Sequence, residues 1–598
     1  MLDNQFTQPS TDHASFSNAN WNSQLLGQLF SGFLDALDDP LEPLFSTNES
    51  NDDASQDETF PTFQFSTSKS LSPFSGLGAG LINSPSAALL VKPSQTRESR
   101  DTTSRTQQAS RKHIIRTSRS RSIFAPLLHS PKDNASMLVE FYFSGTAQAY
   151  SVYDSDMNPF RSTVSRLWNS SRVIYLSLQS MAAACLVEIY PALALVGERL
   201  RQEALELLNA QEIKGNFDDK DLLALLMLGG TSGWHDPQDK GVSLFNSFRR
   251  HVQRMQMSGQ LLESSNSLRF FQESLMYWEM LLAYVVDDDK LERSRAEPVV
   301  SQWTTMPATM SLQPQSPRVP HPWTGIARET QCLVLEIGRL VRSQRLRAHR
   351  RFFTTQAAVS QLQSEMKRAS DLEAALLSLE PLTENEVVSP EDRQTPVWHL
   401  LALADVYCQV GLLQLYRVFP DLLKARLAAE SASSPSHSRE DDTEDADAGD
   451  ADDCEFSQAA CDEWLTAFAL QTLDLLRPIP VESGTRDFQP FLLVACCSEL
   501  RYPSGKLPAQ ESRNLDSLDN PISLRVVEIS RARGLVLSRL RAFLHCLPPK
   551  PIRRCIDIVE ATWRKMDDQA KEAEGPLVED TIYWMDVMIE RGWETTMG

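Results

Sequence analysis

The sequence predicts an all-α protein, a multi-helix domain preceded by a long N-terminal region without regular structure. From about residue 134 onward, apolar residues recur every three to four positions over long segments, which is the period of a helix that packs on one face. No segment alternates apolar and polar residues with period two, as a half-buried strand would. Residues 1–135 are instead rich in Ser, Thr, Asn, Gln and Pro. This composition buries too little apolar surface to offset the entropy cost of ordering, so we expect disorder there.

The periodic segments define the helices in chain order, and Gly or Pro residues mark several of their ends. Stop signals stand at Pro191, Gly229-Gly230, Pro478 and Pro548-Pro549. We predict helices at 136–152, 160–168, 171–187, 190–211, 219–229, 240–257, 267–286, 325–346, 355–379, 396–417, 457–476, 488–499, 523–546, 550–566 and 578–591.

Two segments interrupt the helical region, which we place at residues 136–598. Residues 296–324 are rich in Pro, and residues 430–456 are rich in Ser and then acidic. Each is long for a loop inside a compact domain, so we expect both to be disordered insertions. The acidic run from Glu440 to Glu455 fits a solvated loop better than a binding surface for a basic partner.

Composition bounds the class of protein. The net charge of −21 argues against a protein that coats nucleic acid. Nine cysteines without a disulfide-like spacing favour a reducing compartment. The N-terminus has neither the basic nor the apolar part of a signal peptide. No apolar run reaches the roughly 18–20 residues of a membrane span, so we expect a soluble, intracellular chain without a membrane partner.

One acidic and aromatic segment, Trp21 to Phe45, stands out in the N-terminal region. Residues 1–60 hold eleven acidic residues and no Lys or Arg. Within the segment, five apolar residues fall on one face of a helix, namely Leu26, Phe30, Phe33, Leu34 and Leu37. Such a face can enter the groove of a coactivator, which predicts a transcription-activating helix. The alternative is a helix that docks onto the core of the protein itself.

A basic segment at residues 92–122 follows the acidic one. Nine Lys or Arg residues lie in residues 92–121. Its densest part predicts a nuclear localisation signal, for which the candidate residues are Arg111, Lys112, Arg116, Arg119 and Arg121. A phosphate-binding arm and a plain solvated linker are the alternatives. No aromatic residues are interleaved for base stacking.

The sequence gives no support for an enzyme. Neither G-x-S-x-G nor a phosphate-binding G-x-x-x-x-G-K-[ST] loop occurs. His235 lies near Asp236 and Asp239, yet a lone histidine at a turn between helices indicates a structural role. Cys454 and Cys461 do not have zinc-site spacing. We therefore predict no catalytic residue, no cofactor and no metal.

Several motifs, in order along the chain, resemble one family. They are Asn-Pro-Phe-Arg at 158–161, a helix rich in small residues at 175–186, LLALLMLGGTSGW at 222–234, the basic helix at 245–255, PFLLVACCSELR at 490–501 and WMDVMIERGW at 584–593. Together they are similar to the regulatory domain of fungal zinc-cluster transcription factors. The resemblance extends over about residues 136–598.

The resemblance implies a nuclear regulator of a fungal metabolic or biosynthetic pathway. Members of the family usually carry an N-terminal DNA-binding module with a C-x₂-C-x₆-C motif, in which six thiolates hold two zinc ions. The first cysteine of this chain is Cys185, so the chain as written cannot form that module. We therefore expect recruitment by a DNA-binding transcription factor, with coactivators as further partners and only indirect or non-specific contact with DNA. Homodimers, heterodimers and an unidentified small-molecule effector are compatible with this function.

Two alternatives remain at this point. A gene model that lacks an upstream zinc-cluster exon would also explain the missing cysteines. A helical scaffold outside the nucleus would share the architecture without the regulatory function.

Overall fold

A computed structural model describes residues 134–257, 264–292, 317–349, 355–433, 457–503, 521–572 and 581–597. Throughout these ranges the secondary structure is helical, and pairing between extended segments is limited to the isolated bridges Arg318–Val387 and His321–Gly325. The all-α prediction is confirmed. None of the helices within these ranges combines the length and apolarity needed to cross a bilayer.

The described helices follow the predicted order closely. Their bounds are α1 Asn134–Phe141, α2 Pro159–Leu167, α3 Arg172–Leu186, α4 Leu193–Lys214, α5 Asp219–Gly230, α6 Ser232–His235, α7 Val242–Met257, α8 Ser264–Ala283, α9 Arg328–His349, α10 Gln356–Leu377, α11 Val397–Val418, α12 Pro420–Ser433, α13 Gln458–Leu476, α14 Pro490–Cys497, α15 Pro521–Phe543, α16 Pro549–Glu572 and α17 Trp584–Arg591.

Helix α1 continues through a π-helical turn into the short α-helical stretch Ala147–Ala149, so the helix predicted at 136–152 ends three residues early. Residues Tyr142–Thr146 form a π-helical turn, in which the backbone N–H of Ala147 donates to the carbonyl of Tyr142. The turn holds one residue more than an α-helical turn. It keeps Tyr142 and Ala147, which are five positions apart, both fully buried.

The Asn-Pro-Phe-Arg motif forms the start of α2. The side-chain oxygen of Asn158 accepts a hydrogen bond from the N–H of Phe160 at 3.0 Å, and Pro159 occupies the first helical turn. Both roles are the usual ones for these residue types. Arg161 binds the two carboxylate oxygens of Asp154 at 2.6 and 2.8 Å. The motif therefore fixes the loop before α2 as well as the helix.

Small residues bring α3 and α4 close together. The hydroxyl of Ser180 donates to the carbonyl of Gly197 at 2.9 Å. A Cβ at Gly197 would lie only 3.0 Å from the Cβ of Ala183. Larger side chains on either helix would push the pair apart.

Two parts of the expected insertions differ from the prediction. Residues 317–324 of the 296–324 segment pack into the core, where the indole N–H of Trp323 donates to the carbonyl of Tyr150 at 3.1 Å. Residues 430–433 of the 430–456 segment belong to α12, a helix that the sequence reasoning missed. The remaining parts of both segments, 296–316 and 434–456, lie outside the described residues.

One continuous apolar core runs from α1 to α17. The ring of Tyr284, which follows α8, lies 4.7 Å from that of Phe491 in α14 and 6.2 Å from that of Trp584 in α17. Tyr277 lies 5.4 Å from Phe488. The helices before residue 434 therefore pack against those after residue 456 in the same apolar core.

Candidate functional site

A charged cleft of about 480 Å³ lies where four distant parts of the chain meet. It is bordered by the loop before α7, the segment that follows α8, the second half of α9 and the C-terminal Glu594. Its volume is in the usual range for small-molecule sites. We call it the charged cleft; its lining is Gln238, Asp239, Lys240, Val242, Ser243, Val285, Val286, Asp287, Lys290, Arg342, Leu346 and Glu594.

Arg342 is the buried centre of the cleft. Its guanidinium donates to Asp287 at 2.9 Å, to Glu594 at 2.7 Å and to the carbonyl of Tyr284 at 3.1 Å. A guanidinium presents several donors in one plane, which suits this fork of two carboxylates. Arg342 thus joins the segment after α8 to the C-terminal tail.

Two lysines lie nearer the solvent. The ammonium of Lys240 is 3.3 Å from Glu594, and that of Lys290 is 3.5 Å from Asp287. These ion pairs are longer than those of Arg342, and the side chain of Lys290 is 63% exposed. An exposed pair such as that of Lys290 contributes little to stability, so Lys290 can change partners at low cost. The pair of Lys240 is less exposed, at 24% for the lysine and 22% for Glu594.

The loop that carries Lys240 is held by Asp239 and Gly241. Asp239 accepts hydrogen bonds from the N–H of Gly241 at 2.9 Å and from the buried Arg201 at 3.0 Å. Gly241 has a φ of +67°, and a Cβ there would lie 2.8 Å from the carbonyl oxygen of Gly229. Only glycine fits this close, left-handed turn.

The protonation state of Asp287 follows from its partners. Partial burial acts to raise the pKa of this carboxyl, but the charge and hydrogen bonds of Arg342, together with Lys290, outweigh it. The net effect is a pKa below the ordinary value, so Asp287 is ionised at neutral pH.

A network of buried ions continues from the cleft into the core. Glu279 binds both Arg249 and Arg339, and Arg339 also binds Glu336 at 2.5 Å and Asp288 at 3.4 Å. These groups come from α7, α8, α9 and the turn after α8. Buried charges that pair in this way hold one arrangement of helices, because breaking one pair leaves an uncompensated charge.

His235 has a structural role. Its Nε2 lies 3.0 Å from the hydroxyl of Ser180, and its backbone carbonyl accepts a hydrogen bond from Lys550. Burial lowers the pKa of His235 to about 3, with the nearby charges of Arg201 and Lys550 acting in the same direction. The imidazole is neutral at physiological pH and links α3 to the end of α6.

The side chains predicted from sequence to function all lie outside the described residues. This applies to the activation-helix candidates Leu26, Phe30, Phe33, Leu34 and Leu37 and to the nuclear-signal candidates Arg111, Lys112, Arg116, Arg119 and Arg121. Both predictions stay predictions. Among the residues that are described, no group of three or more His, Cys, Asp or Glu side chains could hold a metal ion.

Sequence reasoning missed the charged cleft. A local signal exists in the run Asp287-Asp288-Asp289-Lys290, which follows the apolar end of α8. Such a run at a helix end usually means a solvated turn. No local pattern connects it to Arg342 or to Glu594, because only the packing of α9 and the tail brings them together.

Comparison with known protein families shows the family of this chain. Residues 136–438 match the family model described as the fungal specific transcription factor domain. No curated protein and no solved structure matches the chain. The match begins at the start of α1 and includes the Asn-Pro-Phe-Arg turn, the α3–α4 pair and most of the cleft lining. The chain therefore belongs to the fungal specific transcription factor domain family.

Proposed function

We propose that this chain regulates transcription in the nucleus and reaches promoters through a partner that binds DNA. Family membership over residues 136–438 is the observation that carries the proposal. The family is one of transcription factors, which agrees with the expectation that the chain is not an enzyme. Regulation of a fungal metabolic or biosynthetic pathway is the process that we assign to it.

The role of a partner rests on the cysteines. The first cysteine is Cys185, inside α3, so residues 1–184 hold no thiolate with which to bind zinc. Of the described cysteines, Cys496 and Cys497 are buried in α14, and burial raises the pKa of both thiols. A buried thiol with a raised pKa is a poor metal ligand, because metals bind the thiolate. We therefore propose that residues 1–598 depend on another protein for specific reading of DNA, with coactivators as further partners.

A DNA-binding experiment distinguishes a regulator that needs a DNA-binding partner from a protein that has its own zinc cluster. The purified chain is incubated with a random duplex library, alone and together with nuclear extract from a fungal host. We expect no sequence to be enriched by the chain alone and one sequence family to be enriched with the extract. Enrichment by the chain alone would contradict the need for a partner. An in-frame C-x₂-C-x₆-C upstream of Met1 would instead favour a longer protein with its own zinc cluster.

A reporter assay tests the activation segment. The full chain is fused to a heterologous DNA-binding domain, and Leu26, Phe30 and Leu34 are changed to Ala. Reporter output is expected to fall to that of the DNA-binding domain alone, because the apolar face that enters a coactivator groove is lost. Phe60→Ala with Phe63→Ala, in the same N-terminal region, is the matched control. Equal output from both variants would refute the assignment.

Localisation is tested with the basic segment. Alanine replacements of the five candidate residues should move a fluorescent fusion out of the nucleus, because an import signal needs its clustered positive charge. The control replaces four other basic residues of the same segment, Lys92, Arg97, Arg100 and Arg105. A fusion that stays nuclear after the first change contradicts the signal. A wild-type fusion that never enters the nucleus would favour the scaffold alternative.

A further inference from the structure

We propose that the charged cleft binds a small zwitterion with an aliphatic side chain, of the class of the aliphatic α-amino acids. The site is formed by described residues alone. Its occupancy can be measured on the purified chain, whether or not the chain regulates transcription.

The balance of charges in the lining points to a zwitterion. Three cations, Lys240, Lys290 and Arg342, line the cleft together with three carboxylates. Asp287 and Glu594 pair with these cations, whereas Asp239 is bound by the buried Arg201 behind the lining. Because the charges of the lining are balanced, the cleft should favour neither an anion nor a cation over the other. A ligand that carries both charges close together can satisfy groups of both signs at once.

The lengths of the ion pairs show how the lining can accept such a ligand. Lys240 and Lys290 make the two long contacts, at 3.3 and 3.5 Å, with Glu594 and Asp287. A ligand carboxylate can take the two ammonium groups, and its own ammonium can take the carboxylate oxygens that they release. The number of ion pairs then rises without leaving a charge unpaired, while Arg342 keeps its contacts with both carboxylates.

The remaining lining fits an aliphatic body. Val242, Val285, Val286 and Leu346 border the same space as the six charged groups. Branched aliphatic side chains offer an apolar surface without a hydrogen-bonding group, which suits a ligand side chain of the same kind. Aromatic residues are absent from the lining of this cleft within the described structure, so stacking of a planar ligand has no support.

Calorimetric titration of the full chain with three probes tests the ligand class. The probes are L-leucine, isoamylamine, which lacks the carboxylate, and 4-methylpentanoate, which lacks the ammonium group. L-Leucine is expected to bind at least about tenfold more tightly than either analogue, because each analogue loses one set of charge-assisted hydrogen bonds. Absence of leucine binding, or equal binding of one analogue, would overturn the proposal.

Two lysine variants test the position of the site. Lys240→Gln and Lys290→Gln remove one ammonium group each and should weaken leucine binding by about tenfold. Lys220→Gln is the control, because Lys220 is an exposed lysine in α5 that pairs with Asp218 outside the cleft. Circular dichroism of each variant checks that the helices are intact. Leucine binding that is unchanged in both cleft variants would place the ligand elsewhere and overturn the assignment of the site.

Discussion

Gly229, near the end of α5, lies directly against the indole of Trp278 in α8. A Cβ at Gly229 would be 2.0 Å from the Cη2 atom of the tryptophan ring. Trp278 is itself buried, with Phe245 packed against it edge to face at a centroid distance of 5.2 Å. The ring has no free side to move toward, so the approach of α5 to α8 requires a residue without a side chain.

The first prediction concerns this contact. Gly229→Ala should destabilise the protein by at least about 2 kcal/mol, since overpacking of a rigid core typically costs 1–3 kcal/mol. Gly534→Ala is the matched control, because Gly534 is an exposed helical residue of α15 whose Cβ would meet nothing within 4 Å. The control should be stabilised by about 0.5–1 kcal/mol. Thermal unfolding measures both, and a lower melting temperature for Gly534→Ala would contradict this account.

The second prediction concerns the ion pair between Arg417 of α11 and Glu499, which follows α14. Both side chains are buried, and Arg417 also binds Asp462 at 2.8 Å. Arg417→Met should cost about 3–5 kcal/mol, because it leaves a buried carboxylate uncompensated. The double variant Arg417→Met with Glu499→Leu should be more stable than the single one.

An exposed pair provides the control for that prediction. Arg541 and Glu560 lie 2.9 Å apart with both side chains more than a third exposed. Arg541→Met should change the stability by no more than about 1 kcal/mol. Equal losses for Arg417→Met and Arg541→Met, measured by calorimetry, would show that burial does not decide the cost.

The third prediction concerns pH and the buried carboxyl of Asp487. Burial raises the pKa of Asp487 from 3.8 to about 7, against a smaller opposing effect of Arg486. The folded state therefore holds a proton that the unfolded state has already lost. Stability from this group is present below pH 4 and is lost as the pH rises through about 7.

Asp487→Asn tests the assignment, because an amide resembles the protonated acid and does not titrate. From pH 5 to pH 8 the melting temperature of the variant should rise relative to that of the wild type. The corresponding change in the difference between their free energies of unfolding should be at least about 1.4 kcal/mol, which is the equivalent of one pKa unit. Asp568→Asn, the same change at an exposed position of α16, is the matched control. A difference for Asp487→Asn that does not change between pH 5 and pH 8 would refute the raised pKa.

The fourth prediction concerns the extent of the folding unit. A fragment that ends at residue 438, where the family match ends, should not fold cooperatively. It would expose the faces of Tyr277, Tyr284 and Tyr407 that now pack on Phe488, Phe491 and Trp584. Limited proteolysis and near-ultraviolet circular dichroism compare the fragment with residues 134–598. A fragment that resists protease as well as the longer chain does would contradict a shared core.

The helices were largely predictable because their signals are local. Apolar periodicity located α3, α5 and α11 to within a few residues, and Gly229-Gly230 marked the end of α5. Helix α12 was missed because its sequence becomes Ser-rich before it ends, which indicated an insertion. Residues 317–324 were misread for a related reason. Their high Pro content predicted a disordered insertion, whereas the burial of Trp323 holds the segment in the core.

The candidate site was not predictable because its parts are far apart in sequence. Arg342 and Glu594 are 252 positions apart, yet they form a 2.7 Å ion pair. Each residue alone has the appearance of an ordinary surface charge. Helix packing makes the cleft, and the packing depends on contacts such as Gly241 against Gly229 that no local period encodes.

The π-helical turn at Tyr142–Thr146 determines the direction in which the side chains after it point. A residue in an α-helix rotates the chain by about 100°, so loss of one residue from this turn would turn Tyr150 away from its neighbours. Tyr150 packs edge to face on Phe160, Trp234 and Trp323. A single-codon deletion at this place should thus be more damaging than most substitutions, so we expect this part of the gene to tolerate changes of length poorly.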